Sequence, residues 1–303
     1  MLLYDGGTML SNPFLFWMLR WLPAGLASWL GGWLSVHVAR RRMKLRDARA
    51  RANLAILRPD LSQPEREAML TRRWINVGRT LAELANVDRL VNDAHVRVID
   101  KAGYDAVLDG PGPMIAFTCH LGNWDLLAAH IKWSTDRPGL GVYEDPEDPR
   151  IAAQLRKARS SYMGEAIGGE GAARGVLKHL TQKDRATLYI LADERRERQV
   201  WFPTFGRPLP PSGNLSIALR LARKVGARIL PFYLLRTQGP HFDLHWHPPL
   251  DPGALSDEAI VAALDAYLGR ACLAHADQWL ALHDMDLTAE GHRPPCDFAP
   301  DRG

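Results

Sequence analysis

The chain is predicted to be an α/β protein with a mainly parallel central sheet flanked by helices, preceded by an N-terminal helical membrane-associating segment. Three observations predict it: short β-like runs alternating with helical stretches from about residue 95, an uncharged apolar run near the start, and a dense basic run directly after it. Such alternation marks a parallel sheet covered by helices, with working residues at the carboxyl ends of strands. With 303 residues, 47% hydrophobic and 24% charged, the chain is long enough for one sizeable α/β core. The expected division is 1–60 for the membrane-associating segment and 61–303 for the α/β domain.

Trp21 to Val38 reads WLPAGLASWLGGWLSVHV, eighteen residues without a formal charge. As a helix it would measure roughly 27 Å, just short of a bilayer core. Pro23, Gly25, Gly31 and Gly32 weaken it as a rigid span. Trp17, Trp21, Trp29 and Trp33 suit the headgroup boundary. Between Ala39 and Arg51 lie seven basic residues against one acid, Asp47. A signal peptide carries its basic residues before the apolar stretch, the reverse of this order. The segment is read as an interfacial or re-entrant anchor on the cytoplasmic face of an inner membrane. A helical hairpin packed on the core is the alternative.

Next, Ser62 and Glu65 have capping-box spacing, and Leu70, Trp74, Val77, Leu81 and Leu84 share one face of an amphipathic helix expected to pack on the catalytic domain. Candidate strands are Met114–Cys119, Leu140–Tyr143, Ala186–Ala192, Arg228–Leu235 and Phe242–Trp246. Candidate helices are Trp124–Trp133, Pro149–Tyr162, Ala172–Thr181, Gly213–Lys224 and Asp257–Ala276.

Chemistry concentrates in Met114–His130, MIAFTCHLGNWDLLAAH, where an apolar strand runs into His120, turns at Gly122 and opens a helix at Asn123-Trp124-Asp125. Histidine is the side chain best matched to taking a proton from an attacking alcohol near neutrality. Asp125, five positions on, is expected to orient the imidazole, and backbone N–H groups near Gly122 and Asn123 to steady an oxyanion. No protein nucleophile is required when the acceptor brings its own hydroxyl.

The segment His120-Leu121-Gly122-Asn123-Trp124-Asp125 resembles the H-x4-D/E motif of lysophospholipid acyltransferases, and is most similar to the late (lauroyl/myristoyl) acyltransferases of lipid A biosynthesis. Further blocks resemble that family in order: Arg159…Gly164, Leu191-Ala192-Asp193-Glu194-Arg195, Trp201-Phe202-Pro203-Thr204-Phe205-Gly206, Ile229-Leu230-Pro231-Phe232…Arg236 and Gln278–His283. They span roughly residues 10 to 285. The resemblance implies an acyl carrier protein or acyl-coenzyme A donor, a lipid A-type or related glycolipid or lysolipid acceptor, transfer to a hydroxyl, and no cofactor. The chain departs from the family where Asp284-Met285-Asp286 replaces a basic tail and where Arg195-Arg196-Glu197-Arg198 replaces small or polar residues. A different glycolipid, ornithine-type, aryl-polyene or pigment lipid acceptor therefore stays open.

Asp193, Glu194 and Arg195 close an apolar strand. A carboxylate there would also support His120, and Arg195 and Arg159 are candidate anion contacts. Gly168-Gly169-Glu170-Gly171 lacks the spacing of a nucleotide loop. His241, Asp243, His245 and His247 alternate along one strand face, a weak zinc pattern, and no metal is expected. The three cysteines form no disulfide framework. A thioesterase-like hydrolase would use the same pair on water. A non-catalytic peripheral protein would use only the basic run to bind anionic lipid, and nucleic acid is not expected as a partner.

Overall fold

The computed structural model describes residues 13–142, 172–196, 199–211 and 213–285, with 153, 159, 162, 165–167 and 287. Helices fill the first part of the chain. α1 (Pro13–Trp21) and α2 (Ala24–Leu34) are joined at Pro23, and α2 continues through a π turn, Ser35–Ala39, into Arg40–Arg42. α3 (Lys44–Leu57) and α4 (Gln63–Glu83) follow. The capping box at the start of α4 is present in full: Ser62 and Glu65 each bond the other's backbone. Leu70, Trp74, Val77, Leu81 and Leu84 are all buried, two turns of them against Trp124 and Leu280 of the sheet-containing part.

α2 lies along α4 at backbone contact. A Cβ on Gly31 would collide with the Gly78 carbonyl and the Ala82 methyl, and one on Gly78 with the Gly31 carbonyl and Ser35. Only glycine permits two helices to approach so closely, which accounts for Gly31 and Gly32, whereas Gly25 lies in open space. The opposite face carries exposed Phe14, Trp17, Trp21, Leu26, Trp29 and Trp33. Among the described residues, no helix is long and apolar enough to cross a membrane.

The sheet then forms. β1 (Val96–Val98), α5 (Lys101–Asp109), β2 (Met114–Thr118), α6 (Trp124–Ser134), β3 (Gly139–Val142) and β4 (Glu165–Ile167) precede α7 (Ala172–Gln182) and β5 (Thr187–Leu191). A small antiparallel hairpin, β6 (Arg195–Arg196) and β7 (Gln199–Val200), leads to α8 (Asn214–Val225), β8 (Arg228–Gln238), β9 (His241–Trp246), α9 (Asp257–Leu264) and α10 (Arg270–Ala274). The main sheet has the order β1-β9-β8-β2-β5-β3-β4. Every neighbouring pair is parallel except β8 with β9, so a mixed, mostly parallel sheet results.

β2 is central and all five of its residues are buried, as expected for a strand covered on both faces. Its alternation divides the core: Met114 and Ala116 pack with Leu126 and Leu127 of α6, Ile115 and Phe117 with Leu215 and Leu219 of α8. The five expected strands occur within a few residues of their sequence bounds. β1, β4 and the β6–β7 hairpin, each two or three residues long, are additions. The expected helix over 257–276 is interrupted by a π turn at Asp265–Gly269. Most of the expected Pro149–Tyr162 helix, and the Gly168–Gly171 turn, lie outside the described residues.

Candidate active site

β2 and β5 are hydrogen-bonded neighbours in parallel register, with Thr118 opposite Leu191. Ala192 N–H donates to the Thr118 carbonyl at 2.6 Å, extending the pairing past the strand ends. His120 and Asp193 each stand two residues beyond that last pair, so register alone brings them together. The His120 Nδ1 lies 2.9 Å from Asp193 Oδ1, and the His120 backbone N–H donates to both carboxylate oxygens. Trp279 Nε1 donates to Asp193 Oδ2 at 2.9 Å. Asp193 is wholly buried, while the His120 side chain keeps 14% exposure. The Trp124 ring meets the imidazole edge-on at 5.1 Å.

With Nδ1 bonded to a carboxylate, the neutral imidazole carries its proton there and presents the Nε2 lone pair outward. A third segment fixes the turn: Leu121 bridges Trp279, Leu280 N–H donates to the His120 carbonyl, and Gly122 N–H to the Gln278 carbonyl. The sequence block Gln278–His283 is thus a strap across the turn that carries His120.

Asp125 does not orient His120, as the six-residue motif suggests. Its carboxylate receives Arg159 Nε at 2.9 Å, Arg159 Nη2 at 3.3 Å and the Tyr162 hydroxyl at 3.1 Å. Burial beside that carboxylate holds the Tyr162 phenol well above its usual range, so it stays a donor. The reason is geometric. Register supplies the imidazole with Asp193, whereas Asp125, in the first turn of α6, is committed to Arg159 and Tyr162.

Gly122 and the Asn123 side chain hold the turn in place. Gly122 has φ +62°, and a Cβ there would collide with the Leu234 carbonyl of β8. Its amide is used by Gln278 and its carbonyl accepts from Thr80 at 2.9 Å, so it offers no donor to an oxyanion. Asn123 caps α6 by accepting from Leu126 N–H and donates from Nδ2 to Glu83 at 2.8 Å. Trp124 and Asp125 supply the first two amides of α6, which lack intrahelical acceptors by helix geometry.

Glu194 accepts from the Asn214 amide at the start of α8, and Arg195 lies 3.6 Å from Asp284. Neither is brought against the imidazole by a hydrogen bond among the described residues. Burial raises the Asp284 carboxyl, with Arg195, Arg46, Arg73 and Arg49 pulling it back. Cys119 is fully buried and its thiol pushed far up by burial, which keeps it from being a nucleophile. Asp243 is paired with Arg97, and among the described residues no group of His, Cys, Asp or Glu could hold a metal ion.

Sequence reasoning missed the second layer. Glu83, wholly buried, accepts from Ser28, from Asn123 and from both terminal nitrogens of Arg236. Arg236 also bonds Thr80 and stacks 4.6 Å over Phe242. Its position in a matching block was the available signal; Glu83 had none.

The model of the bacterial lipid A biosynthesis acyltransferase family matches residues 7–285. The chain belongs to that family. The lipid A biosynthesis acyltransferase of Haemophilus influenzae is 25% identical to it over 237 residues, 77% of this chain and 73% of the relative. In this acyltransferase, the stretch from His120 to Asp125, read along the sequence as one unit, separates into two pairings, His120 with Asp193 and Asp125 with Arg159, whose carboxylates are buried.

Proposed function

We propose that this acyltransferase moves a fatty acyl group from a thioester, on acyl carrier protein or coenzyme A, to a hydroxyl of a lipid A-type acceptor at the cytoplasmic face of the inner membrane. The observation that carries the mechanism is the His120 imidazole, bonded through Nδ1 to a wholly buried Asp193 and open on its other side.

The acceptor hydroxyl approaches Nε2 and gives up its proton as its oxygen attacks the thioester carbonyl. The imidazolium formed is stabilised by Asp193, which the Trp279 indole holds in place. The oxyanion is met by the free amides at the start of α6. Collapse expels the thiolate, which takes the proton from the imidazolium. No covalent acyl-enzyme is needed. Asp125 keeps Arg159 fixed beside the site as a contact for an anionic group of donor or acceptor.

The exposed Phe14, Trp17, Trp21, Trp29 and Trp33 face rests in the membrane interface, and the exposed Arg41, Arg42, Lys44 and Arg49 meet anionic headgroups, Arg40 and Arg51 being paired with Asp47 and Glu67. The hairpin thus lies on the bilayer instead of spanning it.

The test is product analysis by mass spectrometry with purified enzyme, thioester donors and a lysolipid A acceptor. An alkali-labile ester in the wild type, absent with His120→Ala at unchanged folding, is expected. Near-normal transfer by His120→Ala would end the reading, and free fatty acid as the sole product would replace transfer by hydrolysis.

A further inference from the structure

Arg79 of α4 is a charge that the catalytic arrangement does not answer. It is half-buried in the crease between α2 and α4. Its aliphatic stem passes Gly32 so closely that a Cβ there would lie 3.2 Å from Arg79 Cγ. Its Nε is buried with no hydrogen-bond partner, and no ion pair to it exists among the described residues. The charges that act on it are Arg236 and Glu83.

Glu83 cannot neutralise both. Its two oxygens already accept from Ser28, Asn123 and twice from Arg236, which fills a carboxylate's usual acceptor capacity. Two guanidiniums therefore share one carboxylate, leaving one positive charge over in a half-buried crease. Nε itself is closed off from solvent, so a two-oxygen anion would be met by the outer N–H edge of the guanidinium. On the α2 side the crease leads, one turn before Gly32, to exposed Trp29 at the edge of the aromatic face. An anionic oxygen group with apolar matter attached fits these surroundings better than a free small ion.

We infer that Arg79 is the principal cation of a phosphate-binding site in the α2–α4 crease, which takes the phosphate of a lipid headgroup. Glu83 joins this site to the catalytic turn through Asn123, so the phosphate is held one residue layer from the turn that carries His120. The existence of the site does not depend on acyl transfer; only the assignment of the phosphate to the acceptor rests on that reading.

The test uses the full chain and follows thermal unfolding with about 10 mM inorganic phosphate, ionic strength being matched with chloride. Wild type is expected to gain about 2 °C or more, Arg79→Gln nothing, and Arg79→Lys, which keeps the charge but not the fork, only part. Equal gains in wild type and Arg79→Gln would overturn the site; should Arg79→Gln fail to fold, an undiminished gain in Arg79→Lys would overturn it instead. Sedimentation with phosphatidylcholine vesicles, with and without phosphatidate, identifies the source. Preference for phosphatidate, weakened about tenfold in Arg79→Gln and competed by phosphate, supports a lipid headgroup; a thermal gain without vesicle preference overturns the headgroup assignment. His120→Ala is expected to keep the phosphate response while losing transfer, so the two readings fail separately.

Discussion

His120 and Asp193, separated by 73 positions in the chain, meet at 2.9 Å because each follows the last paired residue of its own strand by the same two steps. Asp193 in turn has three donors, two from His120 and one from Trp279. An acid so completely bonded holds the ring in one tautomer and one orientation before any substrate arrives, and that is the preorganisation a general base requires.

Replacing Asp193 by Asn keeps the shape but removes the charge that stabilises the imidazolium. The expected loss is about 10²- to 10⁴-fold in kcat with little change in KM. Asp125→Asn leaves the imidazole pair intact and loosens Arg159, so its loss is expected mainly in KM. Steady-state kinetics on both variants checks the division; equal kcat losses with unchanged KM would contradict it.

Gly122→Ala puts a methyl into the Leu234 carbonyl and forces a non-glycine residue to φ +62°. A destabilisation of at least about 2 kcal/mol is expected, together with loss of turnover because the turn carries His120. Denaturant unfolding measures the first and a transfer assay the second.

Glu83 and Arg236 form a buried ion pair. Glu83→Gln leaves Arg236 short of a counter-charge and is expected to cost about 3–5 kcal/mol, whereas replacing both by methionine costs much less than the sum of the single changes. A double-mutant cycle by chemical denaturation decides this.

His130 is buried on α6, with Nδ1 3.0 Å from the Ser134 hydroxyl, and burial lowers its pKa from 6.5 to about 4. Below pH 6.5 the unfolded chain takes up the proton first, so stability falls as pH drops from 6.5 toward 4 and is fully present above that window. The total at stake is on the order of 3 kcal/mol. Thermal midpoints across that range should flatten in His130→Gln; an unchanged slope would refute the assignment.

Much of this architecture was legible in the sequence, because the central strands of a covered parallel sheet are unbroken apolar runs and α4 has both a capping signature and a heptad-like face. What escaped was set by neighbours. β1 and β4 hold three residues each and exist through their pairing with β9 and β3. The spacing of His120 and Asp125 suggested a contact between them that sheet register assigns to Asp193 instead. Glu83 and Arg236 lie 153 positions apart and carry no local pattern that could link them. The tryptophans of the first helices read as interfacial and are exposed, yet the packing of α2 on α4 depends on Gly78, some forty-seven residues downstream of Gly31.

α4 has the glycine seam to the aromatic hairpin on one side and, through Thr80 and Glu83, the catalytic turn on the other. A single stiff rod therefore sets the height of the imidazole above any surface on which those rings settle, much as a depth gauge does. Lengthening or tilting that rod would leave each bond of the site intact and still move the imidazole relative to the exposed aromatic rings.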